Sequence, residues 1–425
     1  MFNRYFLIVF LVCFSCISSV SAQFWNRSSP GGGGWMMGVG AGPTGIILVG
    51  SDLSGAYRSI DGGVSWDVIG ASKGLTATHV GSVGFDPQNG DIMYLGTNRG
   101  IYRSDDGGES VEHVWDTGPG AKVIGDIKFC SANPMIGYAT YQPSFDGLDG
   151  VVYKSNDRGF TWEAISQDLP DTLRLLKLIV HPTNPDIVFV LSGRDRFACG
   201  PGDLYRSDNG GANWVRLASD ISDDFEIMDA AIDPVNPKIV YLTTMNVSCG
   251  SALAYGGKIY KSLDGGDNWI DPNPSILRRS GIIWINKENP DIIKLIDVRK
   301  TAPWIPTSGT FTSLDAGVTW EQTGEELDWE VGYLEEFAAD YGSVIHRSFG
   351  SNGAYCKTLG EDLSNANNLY WVNTRFVYGT TDGGDHFENL FTTEVSPGSW
   401  QSTGVDNVVV IDIEISEANP NMVFA

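Results

Sequence analysis

The chain has few of the residues that metal and redox chemistry require. Its 425 residues include six cysteines and five histidines. Cys13 and Cys16 fall in an apolar leader, which leaves Cys130, Cys199, Cys249 and Cys356, none spaced as a ligand pair. The histidines are scattered and no HExxH occurs, so neither a zinc or iron–sulfur site nor any other metal or cofactor is expected. Basic residues are also scarce: 28 Lys and Arg stand against 52 Asp and Glu, a formal net charge of −24. Such a surface repels nucleic acid and anionic lipid, and neither is expected as a partner. After residue 22 no apolar run approaches the ~20 residues that a bilayer span needs. No stretch of useful length has helical periodicity.

What is present begins with a leader. Arg4, the apolar run from Tyr5 to Phe14, and Val20-Ser21-Ala22 have the order of a secretory signal peptide, so residues 1–22 are assigned to one and the mature chain is expected to be secreted. Cys16 as a lipid-attachment site is the alternative. In an oxidising compartment Cys199 and Cys249 could bridge, and the sequence leaves that open. Abundant Gly, Trp and Tyr suit a turn-rich protein handling neutral, ring-shaped ligands such as sugars, although most of these aromatics are expected in the core.

Self-comparison at a period near 50 residues reveals S-x-D-x-G-x-x-W. It is intact at Ser59-Asp61-Gly63-Trp66, Ser155-Asp157-Gly159-Trp162, Ser262-Asp264-Gly266-Trp269 and Ser313-Asp315-Gly317-Trp320. Degraded copies are Ser104-Asp106-Gly108 with Val111 in the Trp place, Ser207-Asn209-Gly211-Trp214, and Thr380-Asp382-Gly384-Phe387. Each reads as a hairpin in which glycine supplies positive φ and the Asp carboxylate bonds nearby amides. This is similar to the Asp-box of sialidases, sortilin-type receptors, photosystem assembly factors and several glycoside hydrolases. Asp61, Asp106, Asp157, Asn209, Asp264, Asp315 and Asp382 are therefore structural, on the rim rather than at a central site.

Seven such units predict an all-β, seven-bladed propeller of four-stranded antiparallel blades over residues 23–405. A second landmark, Asp86-Pro87, Asn133-Pro134, Asn184-Pro185, Asn236-Pro237 and Asn289-Pro290, precedes apolar runs and is read as the entry to an inner strand. It recurs at Asn419-Pro420, followed by Met422-Val423-Phe424-Ala425. Residues 406–425 are thus either a ring-closing strand or the start of a second propeller in a longer protein. The second is the favoured expectation.

The first unit carries Ser51-Asp52-Leu53-Ser54-Gly55-Ala56-Tyr57-Arg58-Ser59, one residue longer than its counterpart in the second, where Asn98 aligns with Asp52. Asp52 thus falls between two strands at the ligand face; a turn Asp bonding its own loop is the alternative. The Gly-rich run ending in Trp35, the apolar strand and this S-D-L-S-G-A-Y-R-S segment resemble the opening of the xyloglucanases of glycoside hydrolase family 74. The resemblance implies an inverting endo-β-glucanase of two tandem propellers, with Asp52 as general base and the acid on the second propeller. Ser54 and Ser59 depart from the Gly and Trp that the family prefers. An inverting pair stands roughly 6.5–9.5 Å apart, with room for water between.

Trp35, Tyr57, Tyr141 and Trp304 are the candidate sugar-contacting aromatics, Trp304 foremost because prolines flank it and it has no place in the repeat. The partner expected is a neutral β-glucan. The alternative is a secreted, non-catalytic propeller that binds a protein or polysaccharide, like sortilin-type receptors or photosystem assembly factors. A sialidase is disfavoured, since no R-I-P motif occurs and the acidic surface suits an anionic sugar poorly.

Overall fold

The computed structural model describes residues 36–118, 122–143, 150–170, 173–193, 203–222, 226–245, 258–272, 282–297, 309–323, 359–372, 377–390, 392–396, 399–403, 414–415 and 423–424. Over these residues the chain is an all-β, seven-bladed propeller of antiparallel meanders. Helix among them is confined to the 3-10 turn Ala71–Lys73 and the four-residue Ser219–Ser222. Blade 1 runs from the axis outwards through Met36–Ala41, Ile47–Ser51, Ala56–Ser59 and Asp67–Ile69. Blade 2 repeats this as Val80–Phe85, Met93–Thr97, Gly100–Ser104 and Glu112–Trp115.

Burial explains the sequence pattern. A second strand is covered on both faces by the neighbouring blades, so Ile47–Ser51 and Met93–Thr97 are buried at every position. Such strands are near-continuous apolar runs rather than alternating ones. The innermost strands pack on each other around the axis, that of blade 1 against blade 2 and that of blade 2 against blade 3 (Lys122–Cys130). The approach is close. A Cβ on Gly81 would lie 2.3 Å from the Val123 side chain.

Among the described residues the first and last blades each keep their own four strands. Blade 7 (Leu359–Glu361, Leu369–Val372, Val377–Thr380, Glu388–Asn389) meets blade 1 through a parallel bridge of Ala41 with Asp362. The Trp66 indole Nε1 donates to Leu390 O at 3.2 Å across the same seam. Val423–Phe424 pairs with Glu414–Ile415.

The meander sorts the connections onto two ends. Turns between first and second strands share one end with the repeat hairpins, which join third and fourth strands. Bends between second and third strands share the other end with the blade-to-blade connectors. The Asx-Pro landmarks lead into the second strand of a blade, not the innermost: Asp86-Pro87 lies between Val80–Phe85 and Met93–Thr97. Asp86 Oδ1 accepts the amides of Gln88 (2.8 Å) and Asn89 (2.9 Å), which tightens the turn, and Asp233 and Asn286 do the same in blades 5 and 6.

Candidate functional site

The repeat hairpins are closed local networks. In the first, Ser59 Oγ donates to Asp61 Oδ1 (2.8 Å) and accepts the Gly63 amide (2.8 Å). Asp61 Oδ1 accepts the Ser65 amide (2.9 Å) and Oδ2 the Ser65 hydroxyl (2.5 Å). Asp106, Asp157, Asp264, Asp315 and Asp382 repeat the arrangement. Asn209 keeps it with Oδ1 accepting from Ser207 Oγ (2.9 Å) and Asn213 N (2.9 Å), and Nδ2 donating to Asn213 Oδ1. These oxygens are occupied in holding the turn, with little left for a substrate.

Asp52 stands at the opposite end of the blade, in the bend between Ile47–Ser51 and Ala56–Ser59. Strand register sets it level with Asn98 of blade 2 and gives blade 1 the extra residue, because Ile47 pairs with Ser59 as Met93 pairs with Ser104. The bend is braced from within: Ser51 Oγ meets Ser54 Oγ at 2.9 Å, and Ser51 N donates to Gly55 O at 2.9 Å. Gly55 sits at φ 85 and its amide donates to Thr78 O (2.9 Å) in the connector to blade 2. A half-exposed carboxyl on a pinned bend can be aimed at a ligand.

His79 follows Thr78 and was not singled out from the sequence. It is half-buried, its carbonyl accepts the Asn98 amide (3.1 Å), and it interacts electrostatically with Asp52. Burial lowers the imidazole pKa below its usual 6.5, and the Asp52 charge offsets part of that. At neutral pH the ring beside Asp52 is therefore uncharged. Nothing in the local sequence marks His79, since its place depends on the next blade's innermost strand starting there.

The aromatic candidates fare differently. Tyr57 is fully buried and Tyr141 is 3 % exposed, packed with Ile127 and Phe129 in the seam of blades 2 and 3. Neither offers a ring face to solvent, so packing and not sugar contact accounts for them. Trp35 and Trp304 lie outside the described residues, as do the leader, Cys199, Cys249 and Cys356.

No protein-family profile matches the chain. Xyloglucanase Xgh74A of Acetivibrio thermocellus is 23 % identical over 317 residues, 68 % of this chain and 30 % of that protein. The photosystem II assembly lipoprotein Ycf48 of a Synechococcus strain is 28 % identical over 126 residues, 29 % of this chain and 31 % of that protein. Among solved structures, an ancestral family 74 glycoside hydrolase superposes with TM-score 0.63 at 17 % identity, covering 90 % of this chain and 50 % of the enzyme. Ycf48 bound to D1 peptide gives 0.50 at 15 % identity, with 83 % and 92 % covered. The chain thus spans under a third of the xyloglucanase it matches and half of the ancestral enzyme. In fold it is a seven-bladed propeller whose structural neighbours are the propellers of glycoside hydrolase family 74 xyloglucanases, resembled distantly and over part of their length.

Proposed function

We propose that this chain is a substrate-binding propeller of a secreted, inverting endo-β-glucanase acting on a neutral β-glucan such as xyloglucan. In this reading the Asp52 carboxylate is the general base. The placement of Asp52 carries it: a half-exposed carboxyl on a braced bend, at the end of blade 1 that the structural aspartates do not occupy. Similarity to xyloglucanases supports the substrate class.

Inversion needs a water deprotonated on one face of the sugar while an acid protonates the leaving oxygen on the other. Asp52 would take the water proton. The neutral imidazole of His79 adds no positive charge that would hold the carboxylate out of proton transfer. We assign the acid to a second propeller facing this one, with the glucan lying in the groove between them.

Reducing-sugar release from xyloglucan, mixed-linkage glucan and carboxymethylcellulose tests this, with the whole gene product beside its Asp52→Ala variant. Activity on one glucan, reduced at least about a hundredfold in the variant, is the expected result. No release by the whole protein sinks the hydrolase and favours the second reading, a secreted propeller that binds a peptide without catalysis. The similarity to Ycf48 supports that alternative.

A further inference from the structure

Most seams between blades are filled by two apolar side chains. One lies three residues past the hairpin tryptophan position and packs beneath the next blade's hairpin: Ile69 against Gly108, Ile165 against Gly211, Leu217 against Gly266 and Leu390 against Gly63. The other lies on the second strand, next to the residue that pairs with the hairpin Ser or Thr. It is Leu48 in blade 1 and then Tyr94, Tyr138, Phe189, Tyr241 and Tyr370. Three of these tyrosines donate to a carbonyl of the next blade, Tyr94 to Arg158 O, Tyr138 to Pro185 O and Tyr241 to Ala316 O.

The seam between blades 6 and 7 breaks both rules. Lys294 replaces the aromatic and Thr323 the aliphatic. Lys294 is 5 % exposed, and its ammonium donates to Asp385 Oδ1 at 2.6 Å. Thr323 Oγ1 lies 2.5 Å from the same oxygen and 2.6 Å from Thr312 Oγ1. Between the two blades is a cavity of about 640 Å3, lined by Trp284, Trp320, Lys294, Glu321, Asn367 and Asp385 among others. That volume falls in the small-molecule range of roughly 300–1,000 Å3.

The lining selects a ligand class. Asp385 neutralises Lys294, which leaves the carboxylates of Glu321 and Asp382 in excess, so an anion is disfavoured. No group of three or more His, Cys, Asp or Glu among the described residues could hold a metal ion. What remains is the half-buried indole of Trp320 beside hydroxyl, amide, ammonium and carboxylate groups, which suits a neutral ring bearing hydroxyls on its edge and C–H on its faces. We propose that the seam of blades 6 and 7 binds one or two pyranose units of a neutral saccharide, at the end of the propeller opposite Asp52. The site stands apart from any catalytic role of Asp52.

Thr323→Leu restores the aliphatic filling of the other seams and is compatible with the fold. The full chain, its Thr323→Leu and Asn367→Ala variants and a Val215→Thr control would be titrated calorimetrically with cellotetraose, mannotetraose and, as an anionic control, tetragalacturonate. The expected result is saturable binding of a neutral tetrasaccharide, at least about tenfold weaker in Thr323→Leu, a loss of 1.4 kcal/mol or more, and unchanged in Val215→Thr, an exposed position on the outer strand of blade 4. Asn367 is on the exposed rim, so Asn367→Ala folds whether or not Thr323→Leu does, and it too weakens binding. Undiminished binding in both seam variants, no binding by the parent chain, or preference for tetragalacturonate overturns the proposal.

Discussion

Arg158 Nε lies 2.5 Å from Asp86 Oδ2, a bond between blades 2 and 3 that joins a hairpin to the first turn of its neighbour. Asp86 is fully buried. Arg158 has φ 64, in the place where Gly62, Gly107, Gly210, Gly265 and Gly383 stand in other hairpins. Ala316, at the same place in blade 6, takes φ 56 without an ion pair, so the hairpin itself imposes the left-handed conformation and Arg158 adopts it while pairing with Asp86. Arg158→Gly relieves about 1–2 kcal/mol of backbone strain but strands a buried carboxylate, which costs about 3–5 kcal/mol. A net loss of about 2 kcal/mol is expected in denaturant titration, and a variant as stable as the parent would refute this account.

Val111 replaces tryptophan in the second hairpin because the backbone of the preceding connector takes the space. The Val111 amide donates to Lys73 O at 2.8 Å, and Gly74 follows at φ 97. A Cβ on Gly74 would lie 2.2 Å from Val111 O. Gly74→Ala should cost at least about 2 kcal/mol and lower the melting temperature by several degrees. Co-melting with the parent would show that the connector is not locked.

In blade 4 a histidine performs the task that Asp or Asn has in other first turns. His181 Nδ1 accepts the amides of Thr183 (3.3 Å) and Asn184 (3.2 Å). Burial lowers its pKa below 6.5, opposed by the charge of Asp233. The unfolded chain thus takes up this proton first as pH falls. Its stabilisation is complete above pH 6.5 and is lost as pH drops through the folded value. His181→Asn keeps the acceptor without the titration, so its thermal stability should vary less with pH just below 6.5 than the parent's. Identical profiles would remove His181 from the account.

A second acid step belongs to the hairpins. Bonds from the side chain and backbone four residues on lower the pKa of Asp264 and Asp315 to about 2, helped by the hairpin serine. At Asp106 and Asp382 burial pushes upward, yet the same kind of donors brings each to about 2. These pKa values lie below the unfolded 3.8, so the stabilisation is present above pH 3.8 and disappears as pH falls towards 2. Urea midpoints measured at pH 5, 4, 3 and 2 should hold between 5 and 4 and then fall steeply. A midpoint that does not move between pH 4 and 2 would contradict the assignment.

Asp52 could be placed between two strands from its own segment, because the repeat supplies a ruler and one inserted residue is visible against blade 2. Tyr57 and Tyr141 could not be judged that way. An aromatic on a strand reads alike whether its ring meets solvent or the next blade, and here both meet protein. The places of His79 and Thr323 likewise depend on the neighbouring blade, although stacking the seven units exposes Lys294 as a charge in a column otherwise aromatic or aliphatic.

The sequence by itself determined the blade. Its hairpin is satisfied within about eight residues, Ser59 through Trp66 in the first copy, so hydroxyl, carboxylate, glycine and indole must recur together wherever the turn recurs. Seven copies then predict seven blades. Tertiary structure alone decided how the blades meet: Asp86 with Arg158 across 72 residues, Trp66 with Leu390 across 324, and the polar seam where Lys294 reaches Asp385 across 91. These contacts depend on the curvature that brings one blade's outer turn over its neighbour. That curvature comes from packing innermost strands around an axis, and a linear pattern of residue types does not contain it.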